Sequence, residues 1–269
     1  MKSGNFIGLF ALFLMLGLER AWPQEPAIEA EALEIATTAL DYLGTQEKFS
    51  FRWFVEYEEI VAGREKITYF RSGRALMDRS NGFVIETEQA GGLRDYYFNG
   101  EQFTVVSPDE NFYASSSFAE GFDALVEAAR ERTGLVLPLW SIMSPSIKER
   151  WLEGIERGAY LGTTVIAGEP VHHLAFSEYD EDWQVWISTD PDHPVIVMLI
   201  GTDLYQQGWP QYRAYSNDWD FAPEIEPGIF TFKPDPDDMP VAMPDLLAAA
   251  SEGDATTASD SGPGDGNAE

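Results

Sequence analysis

Residues 160–187 constrain the fold more than any other part of this chain, because they contain three strand-like segments joined by two short turns. Between the first two segments, the pair Ala167-Gly168 supplies the positive φ that a tight hairpin turn requires. The acidic run at 178–182 cannot be buried without partners, so it marks a second, exposed turn. These features predict an antiparallel meander in the second half of the chain.

Alternating apolar and polar side chains predict a longer meander in the first half. Apolar residues occupy every second position from Phe49 to Tyr57, so that strand has one apolar face. Glycine-containing turns, including Asn99-Gly100, then separate about six strands in this half. Further strands are predicted at 194–202, 211–219 and 228–232. We therefore expect an antiparallel sheet with one face packed against other elements.

Helices are predicted at 28–43 and at 118–129, where apolar residues recur at helical spacing, and a short one is predicted around Trp151. Each would cover part of the sheet. The segment at 135–143, LVLPLWSIM, is apolar but interrupted by Pro138. We interpret it as a buried connection or an exposed lid rather than a regular strand.

The two ends of the chain differ in composition from its middle. Lys2 precedes an apolar run of about 13 residues, which predicts a secretory signal cleaved after Ala21; an uncleaved anchor is the alternative, although a span needs about 20 residues. After residue 233 the chain is rich in Pro, Asp, Gly, Ala and Ser, which is typical of a disordered tail. We therefore expect a signal peptide at 1–21, one periplasmic domain at 22–233 and an acidic tail at 234–269.

Charge and cysteine content exclude several classes of protein. With 17 basic and 46 acidic residues, the chain has a net charge of −29, which disfavours nucleic acid as a partner. It has no cysteine, which excludes disulfides, thiolate metal sites and a lipidated cysteine. No segment after the signal is apolar enough to span a membrane. Gly-x-Ser-x-Gly and phosphate-binding glycine motifs are absent, so no catalytic residue and no cofactor is predicted.

Two adjacent histidines, His172 and His173, are the first candidates in the sequence for metal binding or catalysis. Adjacent strand residues point to opposite faces, so the pair cannot bind one metal ion together, and no metal site is predicted. His172 shares a face with Leu174 and Phe176. There, either neighbouring residues satisfy the hydrogen bonds of its ring nitrogens or the ring faces a ligand. The acidic run at 178–182 lacks the spacing of a calcium loop and is interpreted as a solvated turn.

Several short motifs are spaced as in a known family: Tyr97-Phe98-Asn99-Gly100, then Pro108, Asn111 and Tyr113, Tyr160-x-Gly162, Gly168 with His172-His173-Leu174-Ala175-Phe176, Asp182-Trp183-Gln184-Val185-Trp186-Ile187, and Trp219 before 230–234. Over roughly residues 27–234 the chain resembles the DUF2092 family of predicted periplasmic proteins, within the lipoprotein-carrier superfamily that includes the LolA, LolB and LppX-like proteins. The resemblance implies a mainly β fold with α, a strongly curved antiparallel sheet of about eleven strands, forming a half-barrel with helices on its concave side. In such carriers the space between sheet and helices takes acyl chains.

The first hypothesis for function is an exported periplasmic protein that binds a lipid or other apolar ligand in the concavity, without catalysis. The candidate ligand residues are mostly aromatic or aliphatic: Phe51, Trp53, Val55, Tyr57, Tyr69, Leu137, Trp140 and His172. The segment at 135–143 would be a mobile cover. The sequence leaves open which set of alternating residues faces the concave side.

In the alternative hypothesis, the same aromatic residues form a core and the protein's own helices fill the concavity. The surface would then dock another envelope protein, as a sensor or assembly factor, and no lipid would bind. An enzyme of unknown class is the third hypothesis; it would require convergent carboxylates or histidines in a pocket.

Overall fold

The computed structural model describes residues 27–137 and 139–246. The signal peptide predicted at 1–21 and the predicted tail from residue 247 onward lie outside the described residues. Within the described ranges, no helix is both long and apolar enough to cross a membrane.

Twelve strands in the described part of the chain form a single sheet, which is antiparallel except at β12. The first meander contains β1 (Lys48–Val61), β2 (Glu65–Asp78), β3 (Gly82–Gln89), β4 (Gly92–Phe98), β5 (Gln102–Ser107) and β6 (Phe112–Ser117). The second contains β7 (Arg157–Ile166), β8 (Glu169–Ser177), β9 (Glu181–Ser188), β10 (Ile196–Asp203) and β11 (Gln211–Asp220), and the short strand β12 (Met239–Pro240) follows.

The strand order, β12-β6-β5-β4-β3-β2-β1-β11-β10-β9-β8-β7, joins the two meanders where β1 pairs with β11. This register places Trp53 opposite Gly73 of β2 on one side and opposite Ser216 of β11 on the other. The twist between neighbouring strands accumulates across so many strands and curls the sheet. The predicted mainly β half-barrel is confirmed.

The helices are α1 (Ala30–Thr45), α2 (Phe122–Thr133), α3 (Trp140–Met143) and α4 (Ile147–Leu152). α1 packs against α3 and α4 and against strands β7 to β9. α2 covers another part of the sheet, where the ring of Phe122 meets that of Phe83 on β3 at a centroid distance of 5.5 Å. Gly44 lies in the last turn of α1. A Cβ there would be only 3.3 Å from the carbonyl oxygen of Pro145, so glycine permits the close approach of the segment before α4.

Residues 221–246 run from the outer face of the sheet to its edge. The prediction of a strand at 228–232 is wrong, because these residues form turns. Phe230 packs against Leu76 and Val84, whose side chains point away from the concave face. Further along, β12 pairs in parallel with β6, and Leu246 is buried. Within the described residues, β12 therefore covers the edge of the sheet at β6.

Candidate ligand site on the concave side

The concave face of the sheet is apolar at its centre. On β1, Phe49, Phe51, Trp53 and Val55 belong to one buried cluster together with Leu40 and the other buried residues of α1. The odd-numbered positions of β1 therefore face the helices. The sequence had left open which of the alternating residues of β1 face the concave side of the sheet.

The eight predicted ligand residues differ in burial and place. Phe51, Trp53, Val55 and Leu137 are buried, whereas Tyr57, Tyr69, Trp140 and His172 are half-buried. The structure brings five of them together on β1 and β2, where the rings of Tyr57 and Tyr69 stack with centroids 5.4 Å apart.

His172 does not belong to that group. It lies on β8, separated from β1 by three strands, and its Nδ1 is 3.0 Å from the hydroxyl oxygen of Tyr160. On the opposite face, Nε2 of His173 is 2.9 Å from Oε1 of Gln184. Within the described ranges, no group of three or more His, Asp or Glu side chains is arranged to hold a metal ion.

We call residues 135–137 and 139–143 the plug. Leu137, Leu139, Ile142 and Met143 are buried, while Val136 is 50% exposed. At one end of the plug, Arg79 donates a hydrogen bond from Nη1 to the carbonyl oxygen of Met143 at 2.7 Å. The plug therefore contributes apolar side chains to the core. Of the two interpretations of this segment, a buried connection or an exposed lid, this burial favours the first.

Nearer the rim, Tyr212 links the plug to the sheet. Burial raises the pKa of Tyr212 to about 12, and the backbone amide of Leu139 and the charge of Arg71 oppose that rise. Tyr212 stands opposite Tyr57 in the register of β1 and β11. The plug thus meets the sheet beside the pair of tyrosines predicted to contact a ligand.

Two side-chain polar atoms in this region, Trp53 Nε1 and Thr87 Oγ1, are buried and have no hydrogen-bond partner among the described residues. Trp53 and Thr87 are the two register neighbours of Gly73. A Cβ on Gly73 would lie 2.8 Å from Cζ2 of Trp53, so glycine leaves room for the indole. Each unpaired buried group costs about 1–3 kcal/mol, and a ligand oxygen that bonded to it would remove that cost.

Arg71 is the candidate residue that sequence reasoning missed. It stands opposite Val55 in the register of β1 and β2, which places it on the concave face. Its Nη2 donates a hydrogen bond to the hydroxyl of Tyr57 at 3.0 Å, and its guanidinium carbon lies 4.6 Å from the centroid of that ring. The signal was available, because Arg71 is two positions after Tyr69 and therefore shares its face.

In addition to a groove of about 640 Å³ lined by Trp53, Gly73 and Thr87, two grooves border this region. One, of about 620 Å³, is lined by Tyr57 and Tyr212 and by four carboxylates, those of Glu58, Asp180, Glu181 and Asp203. Burial and the neighbouring carboxylates Glu178, Asp180 and Asp203 raise the pKa of Glu181 to about 7. The other groove, of about 520 Å³, is mainly apolar and includes Val105, Ala114, Leu135, Val241 and Met243, with Arg94 and Glu110. The second groove borders the start of the plug.

An open, curled sheet whose concave face is covered by helices and an apolar plug defines this protein as a half-barrel of the kind that the sequence predicted. Residues 32–243 match the family DUF2092, described as a predicted periplasmic protein, and the chain belongs to that family. The predicted family and the predicted periplasmic location are both confirmed. No curated protein matches the chain.

The chain is similar to several solved structures at low sequence identity. LprF from Mycobacterium bovis is 9% identical with a TM-score of 0.47, covering 74% of this chain and 97% of that chain. Lipoprotein LppX from Mycobacterium tuberculosis is 15% identical with a TM-score of 0.42, covering 73% and 98%. A LolA superfamily protein from Nitrosomonas europaea is 11% identical with a TM-score of 0.35, covering 75% and 97%.

Proposed function

We propose that this periplasmic protein holds a lipid or another apolar molecule between the concave face of its sheet and its helices, without covalent chemistry. The ligand would occupy the space of the plug and lie against Phe51, Trp53, Val55 and Tyr57. The ligand would enter through the mainly apolar groove of about 520 Å³, because Leu135 of the plug lines that groove.

The observation that carries this proposal is the plug itself. It buries four large apolar side chains, yet only Trp140–Met143 is helical, so few backbone hydrogen bonds would break if it moved. An acyl chain in its place would keep the apolar face of the sheet covered, at about 25 cal/mol for each Å² removed from water. Displacement would expose the plug's own apolar side chains, so the ligand must bury at least as much apolar surface in their place. A ligand oxygen would also gain a donor at Trp53 or a hydroxyl at Thr87.

Native mass spectrometry of the mature protein, purified from a periplasm without detergent, tests this proposal. We expect a discrete adduct that solvent extraction identifies as a lipid. A clean apo mass that stays unchanged after incubation with envelope lipids would contradict the proposal.

A fluorescent label on the plug tests whether the plug moves. Because the chain has no cysteine, Val136→Cys provides a single attachment site for an environment-sensitive dye, and Val165→Cys on β7, at 63% exposed, is the matched control. We expect envelope lipids to change the emission from position 136 and to leave that from position 165 unchanged. Equal changes at both positions, or none at either, would show that the plug is not displaced.

The docking hypothesis has one observation in its favour. At the rim beside the acidic groove, Tyr179, Tyr205 and Trp209 are 74%, 65% and 64% exposed, and the rings of Tyr179 and Tyr205 lie 5.3 Å apart. Exposed clustered aromatic residues are typical of interaction surfaces. Crosslinking in the cell from position 205 would capture a protein partner if docking, rather than lipid binding, is the function.

A further inference from the structure

The surroundings of Arg71 distinguish it from most arginines of this acidic protein. Six arginines in the described part of the chain, Arg52, Arg64, Arg74, Arg94, Arg130 and Arg213, have a carboxylate oxygen within 4.0 Å. In the same ranges no ion pair within that distance includes Arg71, whose partner is the phenol of Tyr57. A half-buried guanidinium without a counter-ion retains donors for an anion.

Arg71 is not required to hold the fold together in the way that Arg79 is. Arg79 donates to three backbone carbonyl oxygens, those of Leu43, Gln46 and Met143, at 3.3, 2.8 and 2.7 Å. Arg71 makes one side-chain hydrogen bond, to Tyr57. Its planar guanidinium therefore remains able to make the paired hydrogen bonds that a carboxylate or phosphate accepts.

The charge of Arg71 acts on residues at both ends of this region. Together with the charge of Arg94 it opposes the rise in the pKa of Tyr96 that burial causes, and it opposes the same rise at Tyr212, which lines the acidic groove with Tyr57. An anionic group would be repelled by the carboxylates of that groove and attracted towards Arg71.

We propose that Arg71 binds the anionic head group of an amphiphile, a carboxylate or a phosphate, whose apolar tail lies under the helices along Val55 and Trp53. The head would sit between Arg71, one row nearer the rim than the unpaired Trp53 and Thr87, and the pair Tyr57 and Tyr69, two rows nearer the rim. This inference rests on the proposed function, and it narrows the ligand from any apolar molecule to a singly or doubly charged anionic lipid.

Paired probes with the same tail test the inference on the full mature chain. Oleate is compared with oleyl alcohol, and dioleoylphosphatidate with dioleoylglycerol, in titrations followed by intrinsic tryptophan fluorescence. The variants are Arg71→Gln, Arg71→Lys and the control Arg74→Gln, which removes the same charge from the outer face of the same strand. Thermal unfolding checks that each variant is folded.

We expect the unmodified protein to bind the anionic member of a pair at least about tenfold more tightly than the neutral member. Arg71→Gln should lose that preference while still binding the neutral member, Arg71→Lys should keep part of it, and Arg74→Gln should keep all of it. A preference confined to the oleate pair assigns a free carboxylate, and one confined to the phosphatidate pair assigns a phosphate.

Three results would overturn the inference. Equal affinity of the unmodified protein for both members of each pair, or a preference that survives in Arg71→Gln, would show that Arg71 does not bind the head group. If the unmodified protein binds neither member of either pair, the proposed function fails and the inference fails with it. If the unmodified protein still binds the neutral member, only the role of Arg71 is contradicted and the proposed function stands.

Discussion

Nη1 of Arg79 lies 2.7 Å from the carbonyl oxygen of Met143, so a side chain at the turn after β2 anchors the C-terminal end of the plug. The same guanidinium donates to the carbonyl oxygens of Leu43 and Gln46 at the end of α1. One residue therefore joins the sheet, the first helix and the C-terminal end of the plug, while the backbone amide of Leu139 joins the plug to Tyr212 of β11.

Replacement of Arg79 by methionine should lower the free energy of unfolding by about 3 kcal/mol, because three hydrogen bonds from a charged donor are lost. Urea denaturation followed by circular dichroism measures this change. Arg52→Met is the control, since Arg52 is exposed and forms only a surface ion pair with Asp218; it should change stability by less than about 1 kcal/mol. Equal losses in the two variants would contradict the anchoring role of Arg79.

Two buried threonines should respond in opposite directions to the same substitution. Thr87 Oγ1 has no partner, so Thr87→Val removes an unsatisfied hydroxyl and should raise stability by about 1 kcal/mol. Thr104 Oγ1 lies 2.8 Å from the hydroxyl oxygen of Ser115, so Thr104→Val should lower stability by a similar amount. Both residues lie in strands, which makes their denaturation midpoints directly comparable. A loss of stability in both variants would mean that the Thr87 hydroxyl is satisfied in solution.

Acid should destabilise the fold through Asp78. Burial alone would raise its pKa, but hydrogen bonds from Ser80, Asn81 and Lys48 outweigh burial and lower the pKa to about 2. Because the pKa in the folded state lies below that in the unfolded chain, the stabilisation is complete above about pH 4 and is lost as the pH falls towards 2.

The substitution Asp78→Asn measures this contribution, which we expect to be about 2 kcal/mol at neutral pH. The difference in unfolding free energy between the unmodified protein and Asp78→Asn should shrink between pH 4 and pH 2. Asp237→Asn, at an exposed position, removes the same charge from the surface and serves as the control. A difference that stays constant over this range would exclude Asp78 as the titrating group.

Whereas Asp78 destabilises the fold as the pH falls, Glu181 should destabilise it as the pH rises. Its pKa in the folded state is raised to about 7, so its stabilising contribution is present at pH 4 and is lost as the pH rises through 7. Glu181→Gln keeps the side chain neutral, and it should therefore be more stable than the unmodified protein at pH 8 but equally stable near pH 4. Thermal midpoints across this range test the prediction, with Glu59→Gln, at an exposed position, as the control. A pH-independent difference would contradict it.

Much of the sheet was predictable because strand signals are local. The alternation from Phe49 to Tyr57 identified β1, and the Asn99-Gly100 turn separated β4 from β5. The prediction failed at 228–232, where an apolar run resembled a strand. There Phe230 packs its ring against Leu76 and Val84, so burial on the outer face rather than strand pairing explains the apolar pattern.

The candidate site was only partly predictable. Tyr57 and Tyr69 were named, and they stack on the concave face, but His172 lies on a distant strand and Arg71 was overlooked. The spacing of residues within one strand indicates which of them share a face. It does not indicate which positions of two strands stand opposite each other, because that depends on turn geometry and pairing.

The amino-acid sequence by itself therefore determined strands β1 to β11, helices α1, α2 and α4, the absence of disulfides and the family, because each depends on neighbouring residues or on composition. Only the tertiary structure decided that β1 pairs with β11, that the odd positions of β1 are concave, and that Arg71 meets a phenol instead of a carboxylate. These features join residues up to about 150 positions apart in the chain, such as Glu58 and Gln211, and they result from the curling of the whole sheet.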